Sequence, residues 1–201
     1  PEHSLKTLLS ADPGPVAEAV QEALPARERG EWLECWQGHE RRGRAALAQA
    51  CGSGWWAGRI VTTLLGSLPE GALLSVASSM PIRDVDSFGG PQARRLQVMG
   101  NRGVNGIDGT IATTLGLSRG WTQGPTAALM GDLAFLHDHG SLLLARGLDR
   151  PVVLVIADNS GGGIFAHLTI AEQHSAFEPG FLTPQRAVIP ALCAAAGARC
   201  A

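Results

Sequence analysis

Two apolar runs in this chain end in oxygen-bearing side chains. "TAALMGD" finishes at Asp132, and "VVLVIADN" finishes at Asn159 and is followed by Ser160 and by Gly161, Gly162 and Gly163. A carboxylate and an amide oxygen, supplemented by the main-chain carbonyl of Gly161, make a hard oxygen set that suits Mg²⁺ or Ca²⁺ and suits zinc poorly. Such a set leaves positions open for phosphate oxygens and water. The glycines are expected to take positive φ and to let main-chain groups approach an anion at the head of the next helix. Together these residues predict a clamp for a metal and a diphosphate. Asp and Asn are also ordinary helix caps, and either tip alone would read that way. The presence of both, separated by roughly 25 residues, the length of one helix and a returning strand, favours the clamp.

For two strand ends to share a cation they must be neighbours in one sheet. The runs "ALLSVA" (72–77), "RLQVMG" (95–100), "TAALMGD" (126–132) and "PVVLVIADN" (151–159) are short, apolar and bounded by turn residues, as buried parallel strands are. Helix-length stretches separate them, the clearest being residues 106–117 and 133–148. The alternation predicts an α/β fold, a parallel β-sheet with helices on both faces, in which ligands bind beyond the carboxyl ends of the strands. Residues 14–67 read as three helices, and residues 184–200 as one more helix with the first residues of a strand.

Composition narrows the function. The formal net charge of −2, with no long basic run and no aromatic platform, argues against nucleic-acid binding. No apolar stretch reaches membrane-spanning length, and residues 1–20 lack the layout of a secretory signal, so no membrane role is expected and a cytoplasmic location is. Cys35, Cys51, Cys193 and Cys200 have no zinc-type spacing and read as reduced thiols.

The ordered motifs "SSMPIRDVD" (78–86), "NRGVNGIDGTIATTLG" (101–116), "GDLAFLHD" (131–138) and "NSGGGIF" (159–165) resemble those of the 2-succinyl-5-enolpyruvyl-6-hydroxy-3-cyclohexene-1-carboxylate synthases (MenD) of menaquinone biosynthesis, which are thiamine diphosphate (ThDP) enzymes. The resemblance covers about residues 60–195 and implies the ThDP-binding fold, specifically its pyrophosphate-binding domain, apparently truncated. On it, residues 1–25 are the tail of a preceding middle domain. Residues 26–201 are then the cofactor domain without its last strand.

The same resemblance implies the site. Asp132, Asn159 and the Gly161 carbonyl would hold Mg²⁺ against the diphosphate, with Gly131, Leu133, Gly162 and Gly163 beside them. Ile107 would be the apolar wedge under the bent cofactor. Arg83 and Arg102 would bind substrate carboxylates, a task suited to a planar guanidinium fork, and Ser79, Ile164, Phe165 and Leu168 would line the same pocket. Family members take 2-oxoglutarate and isochorismate and join the succinyl unit to the latter. The activating glutamate is expected from a domain outside this stretch, which alone should be inactive, and the full protein should be a homodimer or homotetramer. Asp158-Asn159 replaces the usual Asn-Asn pair at a position whose first residue is not a metal ligand. Another ThDP-dependent 2-oxoacid decarboxylase or synthase, and a non-catalytic cofactor-binding remnant, are the rival readings.

Several letters invite other chemistry. "GSGWWA" (52–57) spells a dinucleotide fingerprint but follows a helix, not a strand. "HDH" (137–139) lies in an expected crossover helix and reads as a surface cluster, because adjacent helical residues diverge. His167 and His174 read as solvated loop residues, and Trp55 and Trp56 as packing residues.

Overall fold

The computed structural model describes residues 8–25, 30–52, 54–101, 103 and 106–201. The chain divides into two compact units, residues 1–54 and 55–201. In the first, helix α1 (Pro13–Ala23) starts where the Asp12 carboxylate accepts the Gly14 N–H at 2.9 Å, with prolines in its first turn. Helix α2 (Glu31–Cys51) has Glu31 and Glu34 in its first turn, where the helix dipole favours negative charge. Neither helix buries a residue within this unit.

The second unit is the expected sheet. It contains α3 (Ala57–Ser67), β1 (Leu73–Val76), α4 (Met80–Phe88), β2 (Gln97–Gly100), α5 (Thr110–Gly120), β3 (Thr126–Gly131), α6 (Asp132–Asp138), β4 (Val152–Ala157), the single turn α7 (His174–Phe177) and α8 (Ile189–Ala195). The strands are all parallel, in the order β2-β1-β3-β4. Side chains alternate across the sheet as the pleat requires. Ala72, Leu74, Val76, Ala127 and Leu129 pack with Val61 and Leu65 of α3 and with Ile82, Val85 and Phe88 of α4. Ala128 and Met130 pack on the opposite face with Ile111 and Leu115 of α5, Phe135 of α6 and Cys193 of α8. Helices therefore cover both faces. A buried polar pair joins a helix to the sheet where Thr114 Oγ1 donates to Ser75 Oγ at 3.0 Å.

Two expectations need correction. Residues 133–148 are not one helix: α6 ends at Asp138 and the chain continues as a 3-10 helix over His139–Gly147. The Asp138 carboxylate is turned to the main chain of α5, so the α-helical path stops there. No strand forms after α8 among the described residues; the chain turns at Gly197, whose φ is +80°. Among the described residues no helix is long and apolar enough to cross a membrane.

Candidate functional site

The order β2-β1-β3-β4 makes the chain leave β1 in one direction, through α4 to β2, and leave β3 in the other, through α6 to β4. Between β1 and β3 the connections part, and the carboxyl ends of these strands open into a crevice where ligands of such sheets bind. A cavity of about 860 Å³ lies there, walled by segments that follow β1, β3 and β4 and by residues 55–61 and Ile107.

Asp132 sits in its floor. The pairing of Gly131 with Ala157 places Asp132 and Asn159 at the same end of adjacent strands, as one shared cation requires. Asp132 is only 3% exposed, and its Oδ2 has no hydrogen-bond partner among the described residues. Burial pushes its carboxyl above the usual range. The Asp158 carboxylate adds to this, while the main-chain N–H groups of Leu133 and Gly161 oppose it. A buried, unpartnered acceptor next to a second carboxylate is a site that a cation would stabilise. Asn159 is exposed, with its amide against Gly163 and no side-chain hydrogen bond among the described residues. The Asp158 carboxylate accepts the Ser160 N–H at 2.9 Å and so shapes the turn. The donors present, carboxylate, amide oxygen and the Gly161 carbonyl, fit a divalent cation with oxygen preference. No group of three His, Cys, Asp or Glu side chains suited to metal occurs among the described residues.

The glycines owe their identity to a different cause from the one expected. Only Gly161 has positive φ, at 150°. A Cβ there would lie 2.3 Å from the Leu182 carbonyl oxygen, and one on Gly162 would lie 2.5 Å from that of Phe181. The Gly162 N–H is donated to Leu182 O at 2.7 Å and the Gly163 N–H to Gly161 O at 3.0 Å. Those amides are occupied within the chain and do not form an open anion cradle. The absent side chains let residues 181–184 close over the turn, with Phe165 and Phe181 meeting edge to face at 5.6 Å between centroids.

Ser79, Arg83, Ile107, Gly131, Leu133, Ile164 and Phe165 line the cavity with the clamp residues. Ser79 has φ of +78°, a conformation that costs a non-glycine residue about 1–3 kcal/mol and is found most often at functional sites. Its carbonyl accepts Arg83 Nη1 at 2.6 Å, which ties the guanidinium to the cavity mouth. Leu168 is not in the wall: it is 54% exposed and ends a 3-10 turn by donating its N–H to Phe165 O. Arg102 lies outside the described residues.

The wall also holds side chains with no expected part in it. Trp55 and Trp56 line it, the first 82% exposed with Arg59 over its ring, the second packed edge to face on Phe88. Trp56 blocks a side chain at Gly58, and its buried indole N–H has no partner. His167 lines the cavity too, and its interaction with the Asp84 carboxyl opposes the upward push that burial gives that group. His174 stays exposed on α7. A histidine six residues past a glycine turn carries no local signal of this role, since its placement depends on the 3-10 turns over Gly163–His167 and Thr169–Glu172.

No protein-family model matches the sequence. Curated relatives do. The chain is 42% identical over 189 residues to the 2-succinyl-5-enolpyruvyl-6-hydroxy-3-cyclohexene-1-carboxylate synthase of Rubrobacter xylanophilus, covering 92% of this chain and 32% of the relative. With the synthases of that name from a Synechococcus species and a Roseiflexus species it shares 40% over 186 residues and 37% over 183, each covering 90% of this chain and 31% of the relative. The chain thus spans about three-tenths of the length of the curated relatives it matches. Among solved structures, the ThDP-dependent 4-hydroxybenzoylformate decarboxylase of Rhodococcus jostii superposes with a TM-score of 0.58 at 18% identity, over 74% of this chain and 27% of that one. That likeness shows a shared fold.

Proposed function

We propose that this chain, whose likeness to the 2-succinyl-5-enolpyruvyl-6-hydroxy-3-cyclohexene-1-carboxylate synthases extends over nine-tenths of its length, is the ThDP- and Mg²⁺-holding part of such an enzyme. The observation that carries this reading is the Asp132 carboxylate, buried with an unpartnered oxygen at the tip of β3 and beside the tip of β4. Asp132, Asn159 and the Gly161 carbonyl hold Mg²⁺ against the cofactor's diphosphate. Ile107, half-buried at the cavity's edge, supplies the apolar support under the bent cofactor.

When bound, ThDP would supply a nucleophilic thiazolium carbon and an electron sink for decarboxylation of a 2-oxoacid. The chain's own residues bind and orient. Arg83, and Arg102 with it, grip carboxylates of 2-oxoglutarate or isochorismate. Ser79, Ile164 and Phe165 shape the space beside them. The wall described here contains no glutamate. On this reading another domain supplies the activating glutamate, and the working enzyme is a cytoplasmic homo-oligomer in which residues 1–25 continue a middle domain and residues 26–201 form the cofactor domain.

Calorimetric titration of the full-length protein with ThDP and Mg²⁺ tests the clamp. Asp132→Ala should weaken binding by at least about tenfold, the loss of one charge-assisted ligand. Unchanged affinity would overturn the assignment, and a product assay with isochorismate separates this synthase from other ThDP enzymes.

A further inference from the structure

Helix α5 begins with an unusual debt: its N-cap is Gly109, in the left-handed region at φ +65°, and no side chain of its own turn caps it. Its first N–H groups are satisfied from another element. Asp138, the last residue of α6, accepts the Ile111 N–H at 2.6 Å and the Ala112 N–H at 2.9 Å through one carboxylate oxygen, Oδ2. Oδ1 accepts the Ser141 hydroxyl at 2.6 Å. A carboxylate bonded twice to the start of a helix, and held by a third hydrogen bond, is a charge-assisted cap that also favours the helix dipole.

The two ends of α6 are what make this cap informative. The helix starts at Asp132, in the clamp, and ends at Asp138, on α5. The turn before α5 carries Ile107, whose carbonyl accepts Thr110 Oγ1 at 2.9 Å and which lines the same cavity as Asp132. Six helical steps of about 1.5 Å each make α6 a strut roughly 9 Å long between the cation site and the loop of the apolar support. The remaining side chains of α6 leave it little freedom, because Ala134 and Phe135 are buried in the core beneath β3.

We propose that Asp138 is a positioning residue: by capping α5 from the far end of the clamp helix, it sets the height of Ile107 relative to the cation, and so the bend imposed on the cofactor. The proposal rests on the ThDP reading above. It assigns Asp138 no contact with cofactor or substrate. It separates holding the diphosphate, which belongs to Asp132, from shaping the cofactor, which reaches Ile107 through Asp138. A displacement of about 1 Å at such a support can cost up to about a hundredfold in rate.

The test uses full-length protein and two readouts. The first is the dissociation constant for ThDP with Mg²⁺ by calorimetry. The second is the rate at which the thiazolium C2–H of bound ThDP exchanges with D₂O, followed by quenched NMR, which reports the cofactor's geometry without any turnover. Asp138→Ala should slow exchange about tenfold or more while binding changes less than about threefold. Asp138→Asn, which keeps one acceptor oxygen for the α5 amides, should recover part of the exchange rate and carries the test if the alanine variant fails to fold. Exchange at the wild-type rate in the folded variants overturns the proposal, as does a loss of affinity that matches the loss of exchange. Asp132→Ala in the same series keeps the two ideas apart: if it binds the cofactor like wild type, the clamp reading fails whatever Asp138 does.

Discussion

Asp132 and Asp84 are both buried carboxylic acids whose ionised forms the fold disfavours, yet their surroundings differ. Asp132 has another carboxylate, Asp158, near it, which adds to the push of burial while main-chain N–H groups oppose it. Asp84, 8% exposed on α4, has its carboxyl pushed up by burial, and the interaction with His167 only partly offsets this. Because the folded Asp84 carboxyl sits above its ordinary range, the native state holds this proton more tightly than the unfolded chain does. Its contribution to stability is fully present below the ordinary aspartate range and is lost as pH rises through the raised value. Thermal unfolding of Asp84→Asn against wild type should therefore show little difference in strong acid and a higher Tm for the variant at neutral pH. A constant offset across that range would mean that folding leaves the Asp84 carboxyl unshifted, and a lower Tm for the variant only at neutral pH would mean that the fold favours its ionised form.

At the scale of elements, the turn after β4 depends on closeness more than on any one side chain. A Cβ on residue 161 or 162 would lie inside van der Waals distance of the Leu182 or Phe181 carbonyl oxygen, so the segment over Glu178–Leu182 seals against the turn only if both are glycine. Gly161→Ala places a methyl against main chain that cannot rotate away, at a φ that disfavours side chains. It should lower stability by about 1–3 kcal/mol in chemical denaturation. Stability equal to wild type would show that residues 178–182 can lift from the turn at no cost. The sequence made the strands and their polar tips readable, because a short apolar run bounded by turn residues is a local pattern. It did not make the purpose of the glycines readable, because the atoms that exclude a Cβ lie about twenty residues further on, and only the tertiary path brings them back.

The second unit as a whole is two cores on either side of one sheet. Phe135 lies fully buried on the α5–α6 side, and Leu65 is buried on the α3–α4 side. Adjacent residues of β3 serve the two cores alternately, so neither can melt and leave the strand intact. Phe135→Ala should cost about 3–5 kcal/mol and Leu65→Ala about 2–5 kcal/mol, each shifting one cooperative transition. Two separate transitions in either variant, recorded by far-UV and near-UV circular dichroism, would show the layers to be independent.

The sequence alone determined the parallel α/β architecture and the placing of Asp132 and Asn159 at the same end of two neighbouring strands, since both follow from hydrophobic period and from which residue types end a buried strand. Only the tertiary structure decided that Asp138 caps a distant helix, that Trp55, Trp56 and His167 stand in the cavity wall, and that Leu168 turns outward. Those outcomes depend on which main-chain groups and side chains arrive opposite one another after the layers pack. Along the chain, such partners are separated by tens of residues and leave no periodic trace.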